Sequence, residues 1–128
     1  MKWWIQTLRL KEINQDYRGY INILEGDELG CEEVNISFTK KGFARGGCVH
    51  NSNDEYLLVI SGEINLICGE ALYQLDDGCV VNITKKTPHY YVATKTSLVM
   101  EWGATKEEKK EKHKEYREIV DRINRETN

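Results

Sequence analysis

An all-β sandwich or barrel, finished by one C-terminal helix, is the architecture this sequence predicts. Three observations carry the prediction. Glycines from Gly19 to Gly78 punctuate short segments rich in Val, Ile, Leu and Tyr, the rhythm of short strands joined by turns. Proline occurs once, at Pro88. Beyond Gly103 the glycines stop, charged residues take over, and apolar residues recur at helical spacing. A chain of 128 residues is one domain, long enough to bury a core without staples.

The strand candidates, in order, are YINILE (20–25), EEVNISFT (32–39), EYLLVI (55–60), EINLIC (63–68), ALYQL (71–75), CVVNI (79–83), HYYVAT (89–94) and SLVMEW (97–102). EVNISF alternates polar and apolar residues, as a half-buried strand does. YLLVI is apolar throughout, as a strand covered on both faces is. Ser61-Gly62, between two such runs, reads as a tight hairpin turn. From Thr105 to Glu108 the sequence fits a capping box. Tyr116, Ile119, Val120 and Ile123 then form one apolar stripe, predicting a helix over about 106 to 125. Its first half is fully polar and belongs in solvent, with His113 a surface residue; its second half packs on the β body or on a partner. The division is a β domain over 1–103 and a charged helix over 104–128.

Composition closes off several function classes. Hydrophobic residues make up 40% and charged residues 30%, ordinary for a globular protein. The net charge is −3, which leaves no surplus of Lys and Arg to neutralise phosphates, so nucleic acid is not the expected partner. The start MKWWIQTLRLKEI lacks the apolar run of a signal peptide, and no stretch is long and apolar enough for a membrane span. Cys31, Cys48, Cys68 and Cys79 contain no CxxC pair. The expectation is a cytoplasmic protein with reduced thiols.

Chemistry concentrates in GFARGGCVHNSNDEYLLVISG, residues 42–62. Gly42 is followed by five residues, then Cys48, Val49, His50, four residues, Glu55, six residues and Gly62. Residues two apart on a strand share a face, so Cys48 and His50 can both point inward, and His89 shares a face with Tyr91 and Ala93. The spacing from Gly42 to Gly62 resembles the first motif of the cupin superfamily, with Cys48 in the slot of its first histidine. Gly78 and His89 match a degenerate second motif in register, and Pro88 directly before His89 is a variant found in that superfamily. The likeness covers about residues 30–102. It implies a cupin-type jelly roll, a double-stranded β-helix, often dimeric, and hence a homodimer here. In metal-binding members the motif residues hold one divalent ion, which by position nominates Cys48, His50, Glu55 and His89. A thiolate in that set favours Zn²⁺ over harder ions; Fe, Mn and Ni are the other candidates, and loss of the ion altogether is equally compatible with cysteine in the histidine slot.

Within cupins, ARGGCVH resembles the signature of nucleotide-sugar 3,4-ketoisomerases, and PHYYVATKTSLVMEWG is similar to polysaccharide-biosynthesis cupins of RmlC-like type. That likeness implies an isomerase or epimerase acting on a nucleotide-linked keto sugar by proton transfer, with no metal required. An imidazole near neutrality suits the base, and His50 is the first choice. His89 or Tyr91 supplies the acid, and Arg45 and Tyr91 hold the substrate, Arg45 through its planar fork provided the chain turns at Gly46-Gly47. Two rival readings stand beside it: a metal-dependent lyase or dioxygenase using the four ligands, and a non-catalytic module binding a small sugar-like ligand. The bland alternatives are a core cysteine at Cys48, a solvated acid at Glu55, a surface ion pair at Arg45, and sheet or interface packing for Tyr73, Tyr90, Tyr91, Trp3, Trp4 and Trp102.

Overall fold

The computed structural model describes residues 10–24, 33–103 and 110–128. Trp3, Trp4, Cys31 and the Thr105–Glu108 capping box lie outside the described residues. Strands β1 (Lys11–Asp16), β2 (Gly19–Leu24), β3 (Val34–Thr39), β4 (Ala44–Val49), β5 (Glu55–Cys68), β6 (Ala71–Asp76), β7 (Val80–Ile83), β8 (His89–Trp102) and β9 (Glu111–Lys112) are followed by helix α1 (Lys114–Thr127). All strand pairings are antiparallel.

Two long strands make the fold. β5 and β8 pair with one another from Tyr56–Trp102 to Cys68–His89, and each changes its other neighbour halfway. The first part of β5 pairs with β7 and the second with β6. The first part of β8 pairs with β4 and the second with β3. One hydrogen-bonded sheet is thereby bent into two layers, β1-β2-β3-β8-β5-β7 and β9-β4-β8-β5-β6, which share β5 and β8.

Ser61-Gly62 is where the sequence misleads. It is not a hairpin turn: the chain runs straight on through a bulge, with register shifts on both sides of Ser61 and again at Glu63. Gly62 has φ +106°, and a Cβ there would collide with the Ser97 side chain and backbone of β8. The Ser97 hydroxyl fastens the bend, accepting from Glu63 N (3.0 Å). A glycine that reads as a turn is thus the kink that lets one strand serve two layers.

Inward residues of both layers form the core. Leu57, Val59, Ile64, Leu66 and Val99 are fully buried, and truncating any of them to Ala costs about 2–5 kcal/mol. Cys68 and Cys79 pack partly buried against this cluster, in keeping with small apolar roles.

The C-terminal segment departs from expectation at its start. Glu111 and Lys112 pair with Val49 and Cys48 as a short strand, and His113 N donates to Gly47 O (2.8 Å). This β-pairing delays the helix to Lys114. His113 is its N-cap rather than a bare surface residue: the ring Nδ1 accepts from Tyr116 N (3.3 Å). α1 packs on the chain's own body. Its buried residues are Tyr116, Val120 and Asn124, one polar member more than an apolar stripe requires. Asn124 accepts from Ala44 N (2.8 Å) and donates to Ala44 O (3.1 Å). Its amide takes the place of a neighbouring strand and so closes the edge of β4.

Candidate functional site

β4 lies between β8 and β9, with β9 paired only at Cys48 and Val49, and it carries an extra residue. Arg45 pairs with Tyr91, Gly46 with Tyr90 and Cys48 with His89, so Gly47 is left over. The bulge needs positive φ at Gly46 (+111°) and Gly47 (+89°). A Cβ on Gly46 would lie 2.8 Å from Tyr90 Cα, and one on Gly47 would lie 2.7 Å from Arg117 Cδ. Without the bulge, Arg45 and Cys48, three apart, would face opposite ways. With it, both line one cavity of about 390 Å³ between the two layers, together with His50, Glu55 and His89. That size suits a small organic ligand.

Five of the six residues nominated from sequence therefore converge. Three form a tight cluster. His50 follows β4, Glu55 opens β5 and His89 opens β8. His50 Nε2 lies 2.6 Å from Glu55 Oε2, and His89 Nε2 lies 3.0 Å from Glu55 Oε1. One carboxylate thus holds two imidazoles, whose ring centroids are 6.2 Å apart. All three side chains are buried. Burial opposes ionisation of Glu55, yet the hydrogen bonds from His50 and His89 outweigh it and hold the carboxyl well below its ordinary range. For His89 burial again opposes the charged form, and again the Glu55 contact outweighs it, raising the imidazole. The geometry of His89 says the same: its other nitrogen, Nδ1, lies 3.1 Å from Thr87 O, so both ring nitrogens face acceptors, as in an imidazolium.

Sequence reading missed Glu101. It lies near the end of β8, between Asn35 and Leu57 on the flanking strands, half-buried, and lines the cavity beside Glu55. Burial first, then the charge of Glu55 and a hydrogen bond to it, push Glu101 up to about 8. At neutral pH it carries the proton that two adjacent carboxyls must share. No motif marks Glu101; only the β3–β8–β5 register brings it there.

At the other end, Arg45 Nε donates to Thr39 Oγ1 (2.7 Å) and Nη2 to Phe38 O (3.2 Å), which fixes the plane of its fork. Burial, above all, lowers its guanidinium from the ordinary value. Arg18, Lys110 and Arg117 add positive charge to the same wall; Arg18 is committed to Asp16 (2.6 Å) and Arg117 to Gly46 O (2.6 Å). Tyr91 is the sixth nominee and is not among the cavity-lining residues. It is 2% exposed within the core cluster, with its hydroxyl 3.4 Å from Thr39 Oγ1. Burial, above all, pushes the phenol far up.

The four candidate metal ligands share the cavity but do not present a common point to an ion. The imidazole nitrogens that would face a metal are spent on Glu55, and among the described residues no group of three His, Cys, Asp or Glu has the geometry to hold one. Cys48 lines the cavity as a free thiol. As arranged, the donor set does not fit a metal ion.

The chain has the cupin fold. Its structure resembles the capsular polysaccharide assembling protein CapF from Staphylococcus aureus, with TM-score 0.60, 20% identity, and coverage of 76% of this chain and 29% of that one. It also resembles the S161A mutant of Bacillus subtilis oxalate decarboxylase (TM-score 0.68, 13% identity, 83% and 30% covered) and the vicilin of tomato (TM-score 0.67, 15% identity, 80% and 32% covered). The chain spans about three-tenths of the length of each. No protein-family model and no curated protein matches the sequence. Among the described residues, no helix is long and apolar enough to cross a membrane.

Proposed function

We propose that the chain is an isomerase or epimerase that moves a proton between neighbouring carbons of a keto sugar, carried on a nucleotide, within this cavity. The observation that carries the reading is the single carboxylate of Glu55 bridging His50 and His89. Such an isomerase removes a proton alpha to a carbonyl, leaving an enediolate, and returns a proton to the adjacent carbon; an epimerase returns it to the same carbon from the opposite face. No electrons leave the substrate, so no oxidant or reductant is needed. His50 takes the proton, and Glu55 stabilises the imidazolium that forms. His89, cationic and held between Glu55 and Thr87 O, stabilises the developing oxyanion through its charge. Arg45 holds an anionic group of the substrate through its fork. Tyr91 positions Arg45 through Thr39. Likeness to a capsular polysaccharide assembling protein supports a sugar substrate.

Incubation with a panel of dTDP- and UDP-linked keto sugars in deuterated water tests the reading. NMR should show deuterium entering the sugar ring with at least one of them. Absence of incorporation with every member leaves the cavity as a binding site for a small ligand. Elemental analysis of purified protein separates the metal-dependent alternative, for which one bound equivalent of a divalent metal is required; the donor geometry predicts far less than one.

A further inference from the structure

The C-terminal segment runs in reverse order along the side of β4 that faces away from β8, and its bonds are not all alike. Glu111 and Lys112 pair with Val49 and Cys48, Asn124 holds Ala44, and Thr127 Oγ1 donates to Gly42 O (3.1 Å). These take up backbone groups that a strand at a sheet edge leaves open. Between them lies the bulge at Gly46-Gly47, and there the bonds grip an irregular backbone. Gly47 O accepts from His113 N (2.8 Å), and Gly46 O accepts from Arg117 Nη1 (2.6 Å). The stem of Arg117 also covers the bulge: a Cβ on Gly47 would lie 2.7 Å from Arg117 Cδ and 3.2 Å from its Cγ.

Two successive glycines at positive φ have more backbone freedom than other residues, so the bulge needs outside support to keep one shape. A charged donor on a carbonyl is one of the stronger hydrogen bonds available for that. The bulge turns Arg45 inward, where Nε reaches Thr39 and Nη2 reaches Phe38 O. Arg117 is fastened to the carbonyl of the very next residue, Gly46. Its other side-chain contact, to Asp121, is long at 3.5 Å, and its side chain is 34% exposed, so the core does not depend on it. We infer that Arg117 is a positioning residue for the binding end of the cavity: through Gly46 O it fixes the bulge that aims Arg45. Arg45 as holder of an anionic group comes from the proposed function, on which this role rests. The aim of Arg45 can be read without any substrate.

NMR of the Arg45 Nε–H, assigned by its loss in Arg45→Lys, tests the inference on the full chain. In the wild type this proton, bonded to Thr39, should exchange slowly with water. Arg117→Met keeps a cover over Gly47 but loses the donor, and exchange should speed up about tenfold. Arg117→Lys, which keeps a charged donor, should restore most of the protection. Thr127→Val weakens the same segment at its far end and should leave the Arg45 signal as in the wild type. That control separates aiming from general docking of the helix. Arg117→Gln, polar and too short to reach Gly46 O, repeats the test if Met at this position disturbs folding. Three results overturn the inference: an Arg45 proton that exchanges freely in the wild type, one unchanged in folded Arg117→Met or Arg117→Gln, or one equally exposed by Thr127→Val. If the Arg45 signal responds as expected while no keto sugar takes up deuterium, the proposed function falls and the positioning role stands.

Discussion

At one end of the cavity, Glu55 accepts from two imidazoles and lies beside a second carboxyl, Glu101. At the other, Arg45 is pinned by a hydroxyl and a carbonyl. Both ends bury charge, and they differ in what can move. Every group at the Glu55 end can gain or lose a proton near neutrality or is bonded to one that can. The guanidinium at the Arg45 end keeps its charge at any ordinary pH, and its neighbours only orient it. Buried ionisable groups arranged to exchange protons belong to catalysis, and a fixed, pre-oriented cation belongs to binding. On the proposed function, chemistry falls to one end and recognition to the other.

The largest effect should come from breaking the first end at its centre. Glu55→Gln keeps the shape but removes the charge that holds His50 and His89. Proton exchange into substrate should fall by about 10²–10⁴-fold, measured as deuterium wash-in, and the His89 midpoint should drop. Next is the pH dependence of stability. Glu55 is held low, so its contribution is present above its unfolded value and is lost as acid titrates it in the folded state. His89 is raised, so its contribution is present below its unfolded value of about 6.5 and fades as pH rises through the folded one. Glu101 binds its proton more tightly when folded, so it lowers stability steadily from about pH 4.5 to about 8. Urea denaturation should therefore show stability falling between pH 5 and 8, and Glu101→Gln should remove a component on the order of 3 kcal/mol from that fall. An unchanged slope in the variant would break the assignment of Glu101.

At the binding end the effects are smaller and of another kind. Arg45→Lys loses the fork that reaches Thr39 and Phe38, and should raise KM about 10–30-fold with kcat within about threefold. A matching fall in kcat would erase the division between the ends. Tyr91→Phe should do least. Its buried hydroxyl contacts Thr39 and Ser37 and faces no substrate, so the expected cost is about 1–2 kcal/mol of stability, with activity nearly unchanged in the same assay. A large loss of activity would return Tyr91 to the chemistry that its position in the sequence suggests.

These contrasts also show what a sequence can reveal. Cys48, His50, Glu55 and His89 were legible as a set through motif spacing that resembles cupins; strand geometry by itself gave only the shared face of Cys48 with His50 and of His89 with Tyr91. Arg45 was legible only together with Gly46-Gly47, since the extra residue turns it inward. Tyr91 shares a strand face with His89, but parity gives direction and not depth: two residues further along, the inward side is core rather than cavity. Glu101 was invisible because its role depends on which strands lie beside β8. Ser61-Gly62 shows the converse, a local signal with two structural meanings that only the pairing of β5 with β8 separates. The polar first half of the tail was read as helix because nothing in it announces β4 as a partner.

The central claim is that Glu55 holds His89 as an imidazolium within the cavity. The chain has three histidines, so ¹⁵N NMR of the imidazoles across pH can assign each. The account predicts that His89 keeps both ring nitrogens protonated through the ordinary histidine midpoint of about 6.5, and that Glu55→Gln abolishes this. A His89 that titrates at or below that midpoint in the wild type, or one with an unprotonated Nε2 there, would contradict it.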